Sequence, residues 1–153
     1  PMSLAEETEM SSAEITEFLS ETETGVLALA REDEPYSIPI SYGYDADSET
    51  FYMRLVSTPN SDKRQFLSSE PCARLVIYDE NDPQTRYRSV LATGTLEVID
   101  PNSMSVEEIE QYGEARRPLF EIWGQGKDEL GIELYRLNPD ELSGRRTDVD
   151  RDF

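Results

Sequence analysis

The sequence predicts a mainly β protein, an antiparallel sheet of six strands closed into a small barrel with three helices at its periphery. Two observations predict it. Six runs rich in Val, Ile, Leu, Phe and Tyr alternate with turn-forming clusters, and most follow one another closely enough to pair as hairpins. Only three stretches carry helical spacing, too few to alternate with strands as a layered parallel sheet requires. At 153 residues the chain suits one domain, which we place at 2–147 with an acidic tail at 148–153.

In chain order, residues 2–10 read as frayed. Ser11 and Glu14 form a capping-box pattern ahead of Ile15, Phe18 and Leu19 at helical spacing, which predicts a short amphipathic helix over 11–21. The apolar run 24–31, the acidic turn 32–34 and the alternating run 35–44 predict a hairpin. Pro39 lies inside its second strand, so that strand is either an edge or a place where something other than a neighbouring strand faces the backbone. After a turn at 45–50 come a strand over 51–57, a polar loop, and a helix starting near Ser61 or Asp62 and ending by Ser69 and Pro71. Residues 72–78 and 86–99 predict two more strands, with Gly94 marking a bend or bulge in the second. Residues 105–123 have helical period, interrupted at Pro118. Within that stretch Trp123 is either a core residue or a cover for a ligand ring. A last strand is predicted at 130–137, and residues 138–147 read as a loop in which Arg145 and Arg146 serve as an anion clamp or as plain surface charge.

Composition narrows the function. With 33 acidic against 14 basic residues the formal charge is −19, which repels nucleic acid and anionic membranes. Lys63 and Lys127 are the only lysines. Acid spread through the whole chain with so little lysine is the surface expected in a salt-rich cytoplasm, where repulsion is screened within a few ångströms. No apolar run approaches the ~20 residues of a membrane span. Cys72 is the single cysteine, so no intrachain disulfide forms, and a cytoplasmic, reducing compartment fits. Histidine is absent, which excludes Ser-His-Asp and Cys-His catalysis and the commonest zinc ligand sets, and no metal is expected in the site. Neither a G-x-G-x-x-G nor a G-x-x-x-x-G-K-[ST] motif occurs. Any chemistry therefore either uses carboxylates, Arg, Lys or Tyr, or belongs to a bound cofactor.

The stretch from 57 to 67 is the candidate anion site. Ser61, Lys63 and Arg64 fall in the first turn of the predicted helix, where unpaired N–H groups and the positive end of the helix dipole favour a phosphate. A solvated first turn with ordinary surface charges is the competing reading.

The ordered landmarks Pro35-Tyr-Ser-Ile-Pro-Ile-Ser41, Phe51-Tyr-Met-Arg54, Lys63 with Phe66 and Leu67, Glu70-Pro71 ahead of a strand, and Tyr87-Arg-Ser-Val90 leading to Gly94 resemble the pyridoxamine 5′-phosphate oxidase-like split-barrel flavoproteins. Among these the branch related to nitroimidazole-resistance proteins is the most similar. The resemblance implies a six-stranded split barrel, a homodimer, and FMN held in clefts between subunits. It places Ser37, Ile38, Pro39, Ile40 and Ser41 beside the isoalloxazine ring, and Met53 and Arg54 near the ring and ribityl chain. Ser61, Lys63 and Arg64 then hold the phosphate, and Ser89 approaches from a following strand. Arg54 stands where that branch usually carries histidine, and the loop after it is longer, contains Pro59 and lacks glycine. The implied function is an FMN-dependent oxidoreductase acting on a small organic substrate. The alternative is a non-catalytic module that carries FMN, haem or a deazaflavin.

Overall fold

The fold is that of a computed structural model, which describes residues 8–57, 67, 71–81, 86–114 and 131–148. The first helix, α1 (Ser12–Glu21), begins as its sequence dictates. The Ser11 hydroxyl accepts from the Glu14 N–H and the Glu14 carboxylate accepts from the Ser11 N–H, each at 3.2 Å. Its inward residues Ile15, Phe18 and Leu19 are buried.

Seven strands follow: β1 (Thr24–Arg31), β2 (Glu34–Ser41), β3 (Gly43–Asp45), β4 (Thr50–Ser57), β5 (Cys72–Asn81), β6 (Arg86–Ile99) and, after helix α2 (Val106–Glu114), β7 (Gly131–Asp148). They make one antiparallel sheet in the order β2-β1-β5-β6-β7-β4-β3. The two strands at opposite ends of that order, β2 and β3, are consecutive in the chain and separated by Tyr42 alone. One residue cannot bridge the width of a flat seven-stranded sheet, which at ~4.8 Å per strand approaches 30 Å. The sheet must therefore curl until its ends meet, and β2 does lie against β4.

This corrects the expectation of six strands in a closed barrel. The run read as one strand over 35–44 is two, divided where Tyr42 carries the chain from one end of the sheet to the other. Among the described residues no ladder joins β2 to β3 or β4, so the curl does not close by hydrogen bonds. Pro35 and Pro39 explain why, since neither has an N–H to offer a further neighbour. Pro39 is thus an edge-strand proline, and the β1–β2 register runs past it unbroken, with Val26 opposite Pro39.

The last strand is also longer than expected, because residues 138–147 are strand rather than loop. Pro139 and Gly144 lie inside this strand, and each has a partner that suits it. Thr93 pairs with Glu141 and Gly94 with Pro139, so Asp140 is an extra residue bulged out of β7. Gly94 is required there, since a Cβ on it would stand 2.5 Å from the Asn138 carbonyl oxygen. Gly144 makes room for Met10, whose N–H donates to its carbonyl at 2.9 Å. Residues 9 and 10, expected to fray, are thereby tied to β7: Glu9 bridges Arg145 and Met10 is buried.

The core fills the concave side of the curl. Leu27, Leu29, Phe51, Met53, Leu75, Ile77, Val90, Leu96 and Leu137 line it, and α1 covers it with Ile15, Phe18 and Leu19. Both ends of α1 are anchored electrostatically. Arg146 of β7 pairs with Glu14 at 2.6 Å, while Arg88 of β6 pairs with Glu21 at 3.1 Å and Asp79 at 3.0 Å and stacks 4.7 Å over the Phe18 ring. At the helix C-terminus, which has no glycine cap, the Tyr42 hydroxyl donates to the Leu19 carbonyl at 3.0 Å, Thr22 donates to the Phe18 carbonyl at 3.0 Å, and the two hydroxyls touch each other. The helix predicted over 105–123 is described as α2. Ser105 and Glu108 cap it reciprocally, and it covers a second small cluster of Tyr52, Ile99, Met104 and Leu134. The remainder of that predicted helix, with Trp123, and the predicted helix starting near 61 lie outside the described residues.

Removing the Tyr42 hydroxyl leaves a buried carbonyl of α1 without its donor. Tyr42→Phe is therefore expected to lower stability by about 1–2 kcal/mol, read as an earlier denaturation midpoint in concentrated salt. An unchanged midpoint would show that α1 is docked by its apolar face alone.

Candidate functional site

Alternation along β2 divides the predicted cofactor strip in two. Ser37 and Pro39 are exposed on the outer face, whereas Ile38 packs against the core, Ile40 lies within it, and Ser41 is buried. On β4 the same rule sends Met53 inward, with 0% of its surface exposed, and leaves Arg54 half-buried on the outer face opposite Leu134. Any contact that Ile40 or Met53 makes with a ligand must run through backbone atoms. Ser37, Pro39 and Arg54 are the side chains available on this side of the sheet.

β3 runs antiparallel to β4, with Gly43 opposite Tyr52. Carrying that direction back through Tyr42 leads Ser41, Pro39 and Ser37 progressively toward the C-terminal end of β4. In the chain, Ser57 at that end is followed by the segment holding Ser61, Lys63 and Arg64, three residues that lie outside the described ones.

Ser89 is placed elsewhere. It is half-buried on the outer face of β6, between Tyr78 of β5 and Arg145 of β7. Three strand spacings separate it from β2 by way of β1 and β5, roughly 14 Å. On the other side, Arg54 sits opposite Leu134, which sits opposite Ile99, and Ser89 is far back along β6 by a strand path of roughly 33 Å. One protomer thus brings the β2 strip and Arg54 to one region but does not bring Ser89 there. Arg145 and Arg146 do not form a joint clamp. Adjacent strand residues face opposite ways, so Arg145 is on the outer face, where its guanidinium donates to the Thr8 hydroxyl at 3.3 Å, and Arg146 is committed to Glu14 beneath α1.

The outer face carries a feature not read from the sequence. Val26, Val76 and Leu91 form a cross-strand row over β1, β5 and β6, flanked by Pro39 on β2, and neither described helix covers it. Tyr78, on the same face, is 69% exposed. The signal was present in residues 75–78, Leu-Val-Ile-Tyr, where apolar side chains continue without alternating; such a run belongs to a strand with apolar contacts on both faces.

Among the described residues no group of three or more potential ligands is placed to hold a metal ion, and no helix is long and apolar enough to cross a membrane.

A curled antiparallel sheet covered on its concave side by a helix is the architecture of the split-barrel class. The chain matches the pyridoxamine 5′-phosphate oxidase family over residues 11–146, nearly its whole length, and belongs to it. No protein among the curated sequences matches the chain. Among solved structures it is similar to an FAD-binding protein from Mesorhizobium loti, at 20% identity and a TM-score of 0.62, over 91% of this chain and 96% of that one. It is also similar to a candidate 5-nitroimidazole antibiotic resistance protein from Bacteroides thetaiotaomicron, at 14% identity and a TM-score of 0.65, over 90% and 86% of the two chains. A third is an FAD and haem binding protein from Mycobacterium smegmatis, at 17% identity and a TM-score of 0.63, over 95% and 76%. At these identities the likeness shows the fold.

Electrostatics next to this region are set by paired carboxylates. The hydrogen bond from Arg146, with a backbone bond at Ser11, holds the Glu14 carboxyl below its ordinary value of 4.5. A depressed carboxylate stabilises the folded state above its unfolded pKa, and that stability is lost as pH falls through the folded value. Below about pH 4.5 the protein is therefore expected to lose stability, and Glu14→Gln is expected to flatten the fall. Thermal melts between pH 6 and pH 3 at fixed salt read this, and parallel curves for the two proteins would remove Glu14 from the account.

Proposed function

We propose that the protein is an FMN-binding flavoprotein that works as a homodimer and transfers electrons to or from a small organic molecule. The observation that carries this reading is the exposed, proline-bearing edge strand β2, which lies against β4, the strand that carries Arg54 and precedes the cationic segment in the chain. A planar ring fits an edge strand whose prolines refuse a further strand, because its polar rim can meet the remaining backbone groups while the ring lies along the outer face. Ser37, Pro39 and Ser41 would border the ring, with Ile38, Ile40 and Met53 supporting it from behind through the backbone. Arg54 would face the ribityl chain, and Ser61, Lys63 and Arg64 the phosphate. Bound FMN supplies the electron-accepting chemistry, and no side chain need act as acid or base.

Two further points support the reading. A chain without histidine offers no imidazole to a haem, which favours the flavin over the haem half of the Mycobacterium smegmatis protein's description. Ser89 lies too far along the sheet to join the β2 strip within one protomer, so its part in the site requires a second copy. The half-buried apolar row of Val26, Val76 and Leu91, with exposed Tyr78 on the same face, would be the face for that copy, since apolar side chains left partly open to water suit an interaction site. Membership of the nitroimidazole-resistance branch would make a quinone or a nitro compound the substrate class. The acid surface fits function in concentrated salt.

The protein in molar KCl is expected to quench added FMN fluorescence stoichiometrically, with Lys63→Ala weakening binding about tenfold or more through loss of a charge-assisted phosphate contact. Failure to bind FMN, or a Lys63→Ala affinity equal to wild type, would overturn the site. Anaerobic NADH or NADPH is expected to bleach the flavin-loaded protein, and a persistent yellow colour would make it a carrier. In sedimentation, wild type is expected to be dimeric at micromolar concentration and Val76→Asp monomeric, because a carboxylate on the row cannot be buried unpaired. A Val76→Asp dimer would move the interface off this face.

A further inference from the structure

Ser89 is the middle member of a row. Tyr78 of β5 and Arg145 of β7 are its direct partners in the two ladders beside it, and all three side chains stand on the outer face. Opposite residues of an antiparallel pair hold their Cβ atoms about 5 Å apart. Whatever meets Ser89 from outside the sheet therefore also meets a phenol ring on one side and a guanidinium on the other.

The row is open toward solvent. Tyr78, at 69%, is the most exposed large apolar side chain among the described residues, and among those residues neither its hydroxyl nor that of Ser89 makes a hydrogen bond. Arg145 is exposed and donates to Thr8 at 3.3 Å, a contact that does not exhaust the five N–H groups of a guanidinium. Its surroundings toward β6 are neutral. Tyr87 and Leu91 flank Ser89 on that face, Ser143 and Thr147 flank Arg145 along β7, and Glu9, its bridge partner, lies on the side away from β6. Glu80, next along the face from Tyr78, accepts from the Tyr87 hydroxyl at 3.1 Å. In a chain with 33 acidic residues, this stretch of sheet sets a cation beside an open ring and unused hydroxyls, which suits a ligand of negative charge.

We propose that the row recognises a planar aromatic carboxylate as the substrate of the flavin site. The ring lies against Tyr78, the carboxylate takes two N–H donors of Arg145, and the Ser89 hydroxyl donates between them. This rests on the flavin reading above and extends it, because a copy that brings Ser89 to its partner's ring must bring Tyr78 and Arg145 with it. The quinone or nitro compound named there then carries a carboxylate. A phosphate suits the row less well. One guanidinium matches a monoanion in a bidentate pair, whereas a dianion calls for a second cation that the neighbours on β6 and β7 do not supply.

The test is a titration of the FMN-loaded protein in molar KCl with para-nitrobenzoate and with its neutral counterpart para-nitrobenzamide, read from the perturbation of the flavin absorbance. The carboxylate is expected to bind about fivefold more tightly than the amide, against the sign of the protein's net charge. Arg145→Gln is expected to abolish that preference while leaving FMN uptake and the affinity for the amide within about twofold of wild type. Tyr78→Ala is expected to weaken both ligands about fivefold through loss of stacking. Thr8→Ala removes the contact that Arg145 makes within the chain and is expected to leave the preference intact. Protein that takes up no FMN would overturn the flavin reading and this inference together. Protein that takes up FMN but binds neither ligand, binds both equally, or keeps its preference in Arg145→Gln would overturn this inference alone.

Discussion

Tyr42 is the residue on which the architecture turns. It is the whole of the connection between the strands at opposite ends of the sheet order, so its backbone forces the sheet to curl, and its hydroxyl fastens the plugging helix where the curl is tightest. A flat arrangement of the same strands would leave the apolar faces of β1, β5 and β6 open on both sides. With the curl, the core residues converge and α1 has a concave surface to cover. Burial of the Tyr42 side chain pushes its hydroxyl pKa up to about 12, which keeps it a donor through any ordinary pH.

The charge balance shapes how that structure is held. In a chain with so few cations, two of the arginines at structural joints, Arg88 and Arg136, each serve two carboxylates, and Arg88 carries an aromatic contact as well. Arg88 joins α1, β5 and β6, and Arg136 joins β6 to α2 through Glu97 at 2.8 Å and Glu108 at 3.5 Å. Exposed pairs of this kind contribute little singly. Their value here is positional, because both helices lie on the sheet over ion pairs that fix their rotation as well as over apolar residues. Salt weakens such pairs while it screens the repulsion among the excess carboxylates.

The edge strand and the outer face are the parts that the curled sheet leaves least satisfied. The prolines of β2 withhold N–H groups from a further strand, and neither described helix packs on the row of Val26, Val76 and Leu91. The concave side, by contrast, is already filled by side chains among the described residues.

Local chemistry alone determined a good deal. The capping box at Ser11 and Glu14, the hairpin of β1 and β2, the bulge at Gly94 and the absence of histidine are each visible in a few neighbouring residues, because caps, turns and missing side chains act over short distances. The lengths and partnerships of the strands were not visible in the same way. Residues 138–147 read as a loop until Gly94 on another strand makes room for Pro139, and Met10 reads as frayed until Gly144 makes room for its sulfur. Pairing register and sheet curvature are decided by residues distant in the chain, so only the tertiary structure could fix them.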